Sequence, residues 1–156
     1  MSRTKASSPA GNASARAADA ELAVARMGEM SPDLRGCAVL DRSGKALAAS
    51  GGTRAWEEAG GAFLDAADAA DGTAASGVHV ATEDGEAFAI RDGELAMVAV
   101  AERFTLASLM LFDMRTVLRD LASGNGIPDR RAPDRAETSA APPAPEDPPL
   151  PPEAAS

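Results

Sequence analysis

Hydrophobic and polar positions along this chain change period several times, and each change marks an element. Residues 1–17 are small and polar without a period, the pattern of a disordered leader. From Asp19 the spacing becomes helical. Ala20, Ala23, Val24, Met27 and Met30 recur on one face as far as Ser31-Pro32, where proline keeps its predecessor out of the helical region. Gly36 to Leu40 then reads as a short buried strand and Asp41-Arg42-Ser43-Gly44 as a turn, with Asp first and Gly fourth. Residues 45–50 return as a second strand, rich in alanine and weak in β-propensity. A second helix is predicted after Gly51-Gly52, with Thr53 as its cap and Glu57 and Glu58 near the positive end of its dipole. Its apolar face collects Trp56, Ala59, Gly60, Phe63, Ala67 and Ala70, opposite Glu57, Glu58, Asp65 and Asp68.

Beyond Asp71-Gly72, Val78-His79-Val80 alternates between faces and Glu83-Asp84-Gly85 turns. Phe88-Ala89-Ile90 alternates again, and Asp92-Gly93 is a hairpin turn. Leu95 to Ala101 has no polar alternation, so this strand is predicted to be covered on both sides, near the middle of the sheet. A third helix follows, with Leu106, Met110, Leu111, Met114, Val117, Leu118 and Leu121 on one broad core face. Leu109 and Phe112 fall on its opposite side, among Ser108, Arg115, Thr116 and Arg119. Cover by the first helix is the expectation for them, and a partner-binding patch is the alternative.

After Ser123 the period is lost, and nine of the eleven prolines lie from Pro128 onward. The chain thus divides into a leader (1–17), one α+β domain (18–124) and a disordered, proline-rich acidic tail (125–156). The tail's PPAP and PPLP segments have no basic neighbour of the kind polyproline ligands carry, so a solvated tail is expected.

Charge and composition narrow the function classes. A net charge of −9, with Arg and Lys scattered, lacks the basic stripe that displaces counterions from a phosphate backbone, so no nucleic-acid partner is expected. A single cysteine, Cys37, excludes a disulfide within the chain, and His79 is the only histidine, so no Cys/His metal cluster and no Ser-His-Asp triad is expected. No apolar run approaches the roughly 20 residues that span a bilayer, and the start of the sequence has no secretory pattern. A cytoplasmic protein without a membrane partner is the expectation.

Remaining candidates for chemistry are few. Asp65, Asp68 and Asp71 recur every third residue, but a hard cation needs six or more oxygens from a shaped loop, and a solvated acidic face is the expected reading. His79 has no cysteine or acidic partner at a fixed spacing, and Cys37 on a buried strand reads as a small hydrophobe. No phosphate-cradling glycine loop is present. The chain is therefore expected to be no enzyme and to use no cofactor. The glycine pair Gly60-Gly61, mid-helix, costs roughly 1 kcal/mol per residue against alanine. Close approach of a second helix or a sheet to Gly60 would offset that, and a local kink or a helix that starts later is the alternative.

The ordered set of elements, with Gly36-Cys37-Ala38-Val39-Leu40-Asp41-Arg42-Ser43-Gly44, Ala49-Ser50-Gly51, Val78-His79-Val80-Ala81-Thr82-Glu83-Asp84-Gly85 and Asp92-Gly93-Glu94-Leu95-Ala96-Met97-Val98-Ala99-Val100, resembles the Roadblock / dynein light chain family over about Asp19 to Ser123. That resemblance implies a profilin-like α-β-β-α-β-β-β-α sandwich, with a five-stranded antiparallel sheet and helices on both faces. It further implies a homodimer joined edge to edge through the sheets, with the second helices packed together, acting as a non-catalytic platform. In bacteria and archaea such platforms often bind a small Ras-like GTPase and alter its nucleotide cycle. The Gly60-Gly61 pair, the exit of the second strand and the proline-rich tail depart from the family pattern.

Candidate dimer-interface residues are Trp56, Gly60, Phe63, Ala67, Val78 and Val80. Candidate partner-binding residues are Leu109, Phe112, Arg54, Arg91 and Arg103, none of them placed by the sequence at a γ-phosphate. The expected function is a dimeric interaction module that binds and regulates a small GTPase. The alternatives are a ligand sensor, for which the few aromatics Trp56, Phe63, Phe88, Phe104 and Phe112 make a poor pocket, and a plain scaffold subunit of a signalling or motility assembly.

Overall fold

The strand-forming segments between Leu34 and Ala101 join one antiparallel sheet, covered by helices on both faces, in the computed structural model, which describes residues 9–124. The elements are α1 (Pro9–Met30), β1 (Leu34–Asp41), β2 (Ala46–Ala49), α2 (Thr53–Asp71), β3 (Gly77–Ala81), β4 (Glu86–Asp92), β5 (Leu95–Ala101) and α3 (Ala107–Ala122). This is the predicted α-β-β-α-β-β-β-α order. Strands run β2-β1-β5-β4-β3, all neighbours antiparallel. The strand without polar alternation, β5, takes the middle as its pattern demands, and β2 and β3 are the edges.

Alternation along the strands sends two sets of side chains to opposite faces. One set, including Cys37, Val39, Phe88, Ile90, Met97 and Ala99, packs with Ala20, Ala23 and Met27 of α1 and with Met110, Met114, Val117, Leu118 and Leu121 of α3. The other set, Ala38, Leu40, Ala89, Ala96 and Val98, packs with Leu64 of α2. Burial of side chains such as Phe88, Met97 and Leu118 is worth roughly 1.5–3 kcal/mol each as an upper estimate.

Four helix readings are corrected. α1 begins at Pro9 rather than near Asp19, so residues 9–17 of the expected leader are helical; residues 11–16 are exposed and bury no face. Residues 1–8 and the proline-rich tail, 125–156, lie outside the described residues. Thr53 is the first helical residue of α2, not its cap; Gly52 takes the cap position and offers no side chain. On α3, Leu106 belongs to the expected core face but stands at the N-cap in extended conformation and is 64% exposed. Leu109 and Phe112 are 53% and 63% exposed, so α1 does not cover them. α1 instead meets other positions of α3, through an Arg26–Asp120 ion pair at 2.9 Å, and Ser31, just past its end, donates from Oγ to Asp113 Oδ2 at 3.2 Å.

Candidate interaction surface

β3 is an edge strand with little side-chain cover. All of its residues are exposed except Val78, which is half-buried at the margin of the α2-side core, as is Phe63. One row of the sheet on that side runs Gly36, Val100, Ala87, Val80 across β1, β5, β4 and β3. Its cover thins steadily: Gly36 is buried under Trp56, Val100 and Ala87 are half-buried, and Val80 is 42% exposed. α2 therefore leaves one apolar corner of its face open, and that corner ends at the unpaired edge of β3.

The geometry of α2 follows from two close approaches. Trp56 lies over Gly36, where a Cβ would stand 3.0 Å from its Cζ2, and the indole Nε1–H donates to the Ser50 carbonyl at 2.9 Å. One turn further on, a Cβ on Gly60 would stand 3.0 Å from Leu40 Cδ1 and 3.4 Å from Val98 Cγ2. The close approach predicted at Gly60 is thus to the chain's own sheet, and Gly60 is buried there rather than free for a partner. Leu64, absent from the face drawn from the sequence, is the other buried residue of α2. That face was centred too far round the helix. Trp56, Phe63 and Ala67 are half-buried at its margin, while Ala55, Ala59, Ala66 and Ala70 form an exposed flank beside them.

At its far end α2 is tethered to β4. Arg91 Nη1 and Nη2 bond the two Asp68 carboxylate oxygens at 2.6 and 2.9 Å, and Nη1 also donates to the Ala75 carbonyl at 2.9 Å. Asp68 accepts the Ala75 amide as well, at 2.9 Å. Arg91, read from the sequence as an exposed cation for a partner, is therefore committed to its own chain, and so is the middle carboxylate of the Asp65, Asp68, Asp71 series. Arg54 is exposed at the start of α2. Arg103 is exposed too, and its guanidinium lies 4.9 Å from the centroid of the Phe104 ring.

Cys37 and His79 are both engaged within their own chain. Cys37 is fully buried, and burial pushes its thiol up to about 11, so it is no nucleophile near neutral pH. His79 does have an acidic partner: its Nε2 is 2.8 Å from Glu86 Oε2, and its ring stacks on Phe88 with centroids 4.6 Å apart. The register explains both, since Phe88 is directly opposite His79 and Glu86 opposite Ala81, a diagonal neighbour on the same face. Sequence spacing alone could not show this pairing, because it depends on the hairpin register. Among the described residues no group of three or more His, Cys, Asp or Glu side chains is arranged to hold a metal ion, and no helix is long and apolar enough to cross a membrane.

Comparison of the sequence with known protein families and with curated proteins finds no match. Solved structures do match in shape. The chain is similar to a Roadblock/LC7 domain from Streptomyces avermitilis (12% identity, TM-score 0.58, covering 67% of this chain and 96% of that one). It is also similar to MglB of Myxococcus xanthus (10% identity, TM-score 0.56, 73% and 94%) and to the gliding protein MglB of Thermus thermophilus (15% identity, TM-score 0.55, 70% and 90%). At such identities the likeness is one of fold. The chain has the Roadblock/LC7 fold, and the resemblance read from residues 19–123 is borne out at that level.

Proposed function

We propose that this chain is a non-catalytic, dimeric interaction module that binds and regulates a small Ras-like GTPase. The observation that supports it best is the open apolar corner formed by Val80, Ala87 and Val100, continuous with the unpaired edge of β3 and flanked by α2. Pairing of two β3 edges would extend one sheet into the other, cover that corner, and bring Phe63, Ala67 and the alanine flank of each α2 against its counterpart. Small side chains on that flank permit close helix approach. Trp56 and Gly60 act in this reading from behind, fixing where α2 lies on its sheet, rather than as contact residues.

A Roadblock fold with MglB among its structural neighbours supports the regulatory half of the proposal. Of the three arginines named as partner candidates, Arg54 and Arg103 are exposed and have no carboxylate partner among the described residues, whereas Arg91 is paired with Asp68. The hollow between α1 and α3 gives the sensor alternative no support, since it measures about 60 Å³ whereas ligand sites run to about 300–1,000 Å³.

The test is a pair of measurements on the full chain: its solution mass, and the nucleotide hydrolysis and release rates of a purified Ras-like GTPase from the same organism with and without it. A self-associating chain that changes either rate supports the proposal. A chain that leaves the GTPase unaffected in both its GDP and GTP forms contradicts it.

A further inference from the structure

The loop from β5 into α3 carries a second surface, across the sheet from α2. Phe104 is 85% exposed and holds a left-handed backbone with φ of 66°, a conformation unusual for a bulky side chain. Such a conformation is strained, and among the described residues the ring's polar contact is the Arg103 guanidinium lying over it. Arg103 has no carboxylate partner among the described residues, since the neighbouring Glu102 is paired with Arg35 at 2.6 Å. Together they form a projecting cationic and aromatic knob.

Immediately beside the knob is a socket of opposite character. Leu106, Leu109 and Met110 of the α3 start, with Met30 and Pro32 from the end of α1, enclose a hollow of about 60 Å³, enough for part of one side chain. Two carboxylates line it, Asp33 at the exposed rim and Asp113, which is only 7% exposed and bonded to Ser31 Oγ. No lysine, arginine or histidine lines it. Phe112 continues the apolar surface by one helical turn.

We propose that this surface is self-complementary and joins two copies of the chain about a two-fold axis, the Arg103-Phe104 knob of each entering the acidic, apolar socket of the other. Knob and socket are adjacent on one copy, so a single two-fold operation satisfies both at once. The charges match in sign, with Arg103 of one copy facing Asp33 and Asp113 of the next, and burial of Phe104, Leu106, Leu109 and Phe112 removes four exposed apolar side chains from water. The contact lies on the α1/α3 side of the sheet, and is therefore independent of pairing through β3. If both operate, four copies assemble.

Sedimentation equilibrium of the full chain tests this with exposed positions whose replacement leaves the core intact. Phe104→Ser is expected to halve the mass. Arg103→Asp and Asp33→Arg are each expected to weaken this contact by about tenfold or more, and the double variant to restore it, because the swap re-forms the opposite-sign pair. Val80→Lys separates the two surfaces, since it acts on β3 alone: a Val80→Lys chain that remains dimeric and becomes monomeric on adding Phe104→Ser supports the α3 contact. A mass unchanged by Phe104→Ser, or single charge variants that the double variant does not rescue, overturns it. So does association through this face that arises only after residues 125–156 are removed, which would make the tail the occupant.

Discussion

Arg91 of β4 grips Asp68 of α2 with both arms of its guanidinium, at 2.6 and 2.9 Å, and this pair fixes one end of the helix over the sheet. The Arg91 bonds first, then the Ala75 amide, hold the Asp68 carboxyl below the usual aspartate range. A depressed folded value contributes stability above the unfolded value of about 3.9 and loses it as pH falls through the folded one. The melting temperature of wild type is therefore expected to exceed that of Asp68→Asn by a constant margin from about pH 7 to about pH 5, and the margin to shrink below about pH 4. A margin independent of pH down to the acid limit would show that the ion pair is not its source.

Gly60 is a packing glycine, so its substitutions read out the fold. Gly60→Leu forces a side chain into Leu40 and Val98 and is expected to cost about 1–3 kcal/mol in urea unfolding. Gly60→Ala places a single methyl 3.0 Å from the mobile end of Leu40 and gains about 1 kcal/mol of helix propensity, so it is expected to stay within about 1 kcal/mol of wild type.

Trp56, the only tryptophan, reports directly on the start of α2. Gly36→Val drives a branched side chain into the indole ring and is expected to shift its emission to the red, as the ring leaves its cover. Trp56→Phe loses the bond to the Ser50 carbonyl and is expected to cost about 1 kcal/mol in denaturant unfolding.

The strands, their hairpin neighbours and the central place of β5 were legible because their signals are local: the Asp41 to Gly44 and Asp92-Gly93 turns, and the unbroken apolar run of β5. The β1–β5 pairing that completes the sheet was not, because it joins segments far apart in the chain. The helices were read less well, for different reasons. α2 rests on its sheet through glycines, and a hydrophobic wheel gives no weight to Gly36 or Gly60, so it missed the contact that centres the helix and left out Leu64. α1 extends back to Pro9 through Gly11, Asn12 and Ser14, with no apolar period to mark it. Arg91 and His79 were read as unpartnered because Asp68 and Glu86 reach them only through tertiary packing and strand register. The exposure of Leu109 and Phe112 depends on where α1 crosses α3, which no local pattern encodes.

Cys37 offers a probe of opening. Its thiol is buried and its ionisation is displaced to about 11. Modification by a thiol reagent at mildly alkaline pH is expected to be slow in the native protein and fast in urea, with a native rate that tracks global stability across the Gly60 and Trp56 variants. Fast labelling of the native chain would place Cys37 outside the core.

Self-association through β3 is what the interaction-module proposal stands on, and Val80 is the place to probe it. Lysine at this exposed edge position leaves the core untouched while setting like charges against each other across the two-fold. Light scattering of the full chain is expected to give half the wild-type mass for Val80→Lys, with an unchanged circular dichroism spectrum. An unchanged mass, or a wild type already monomeric, would contradict a dimer joined through this edge.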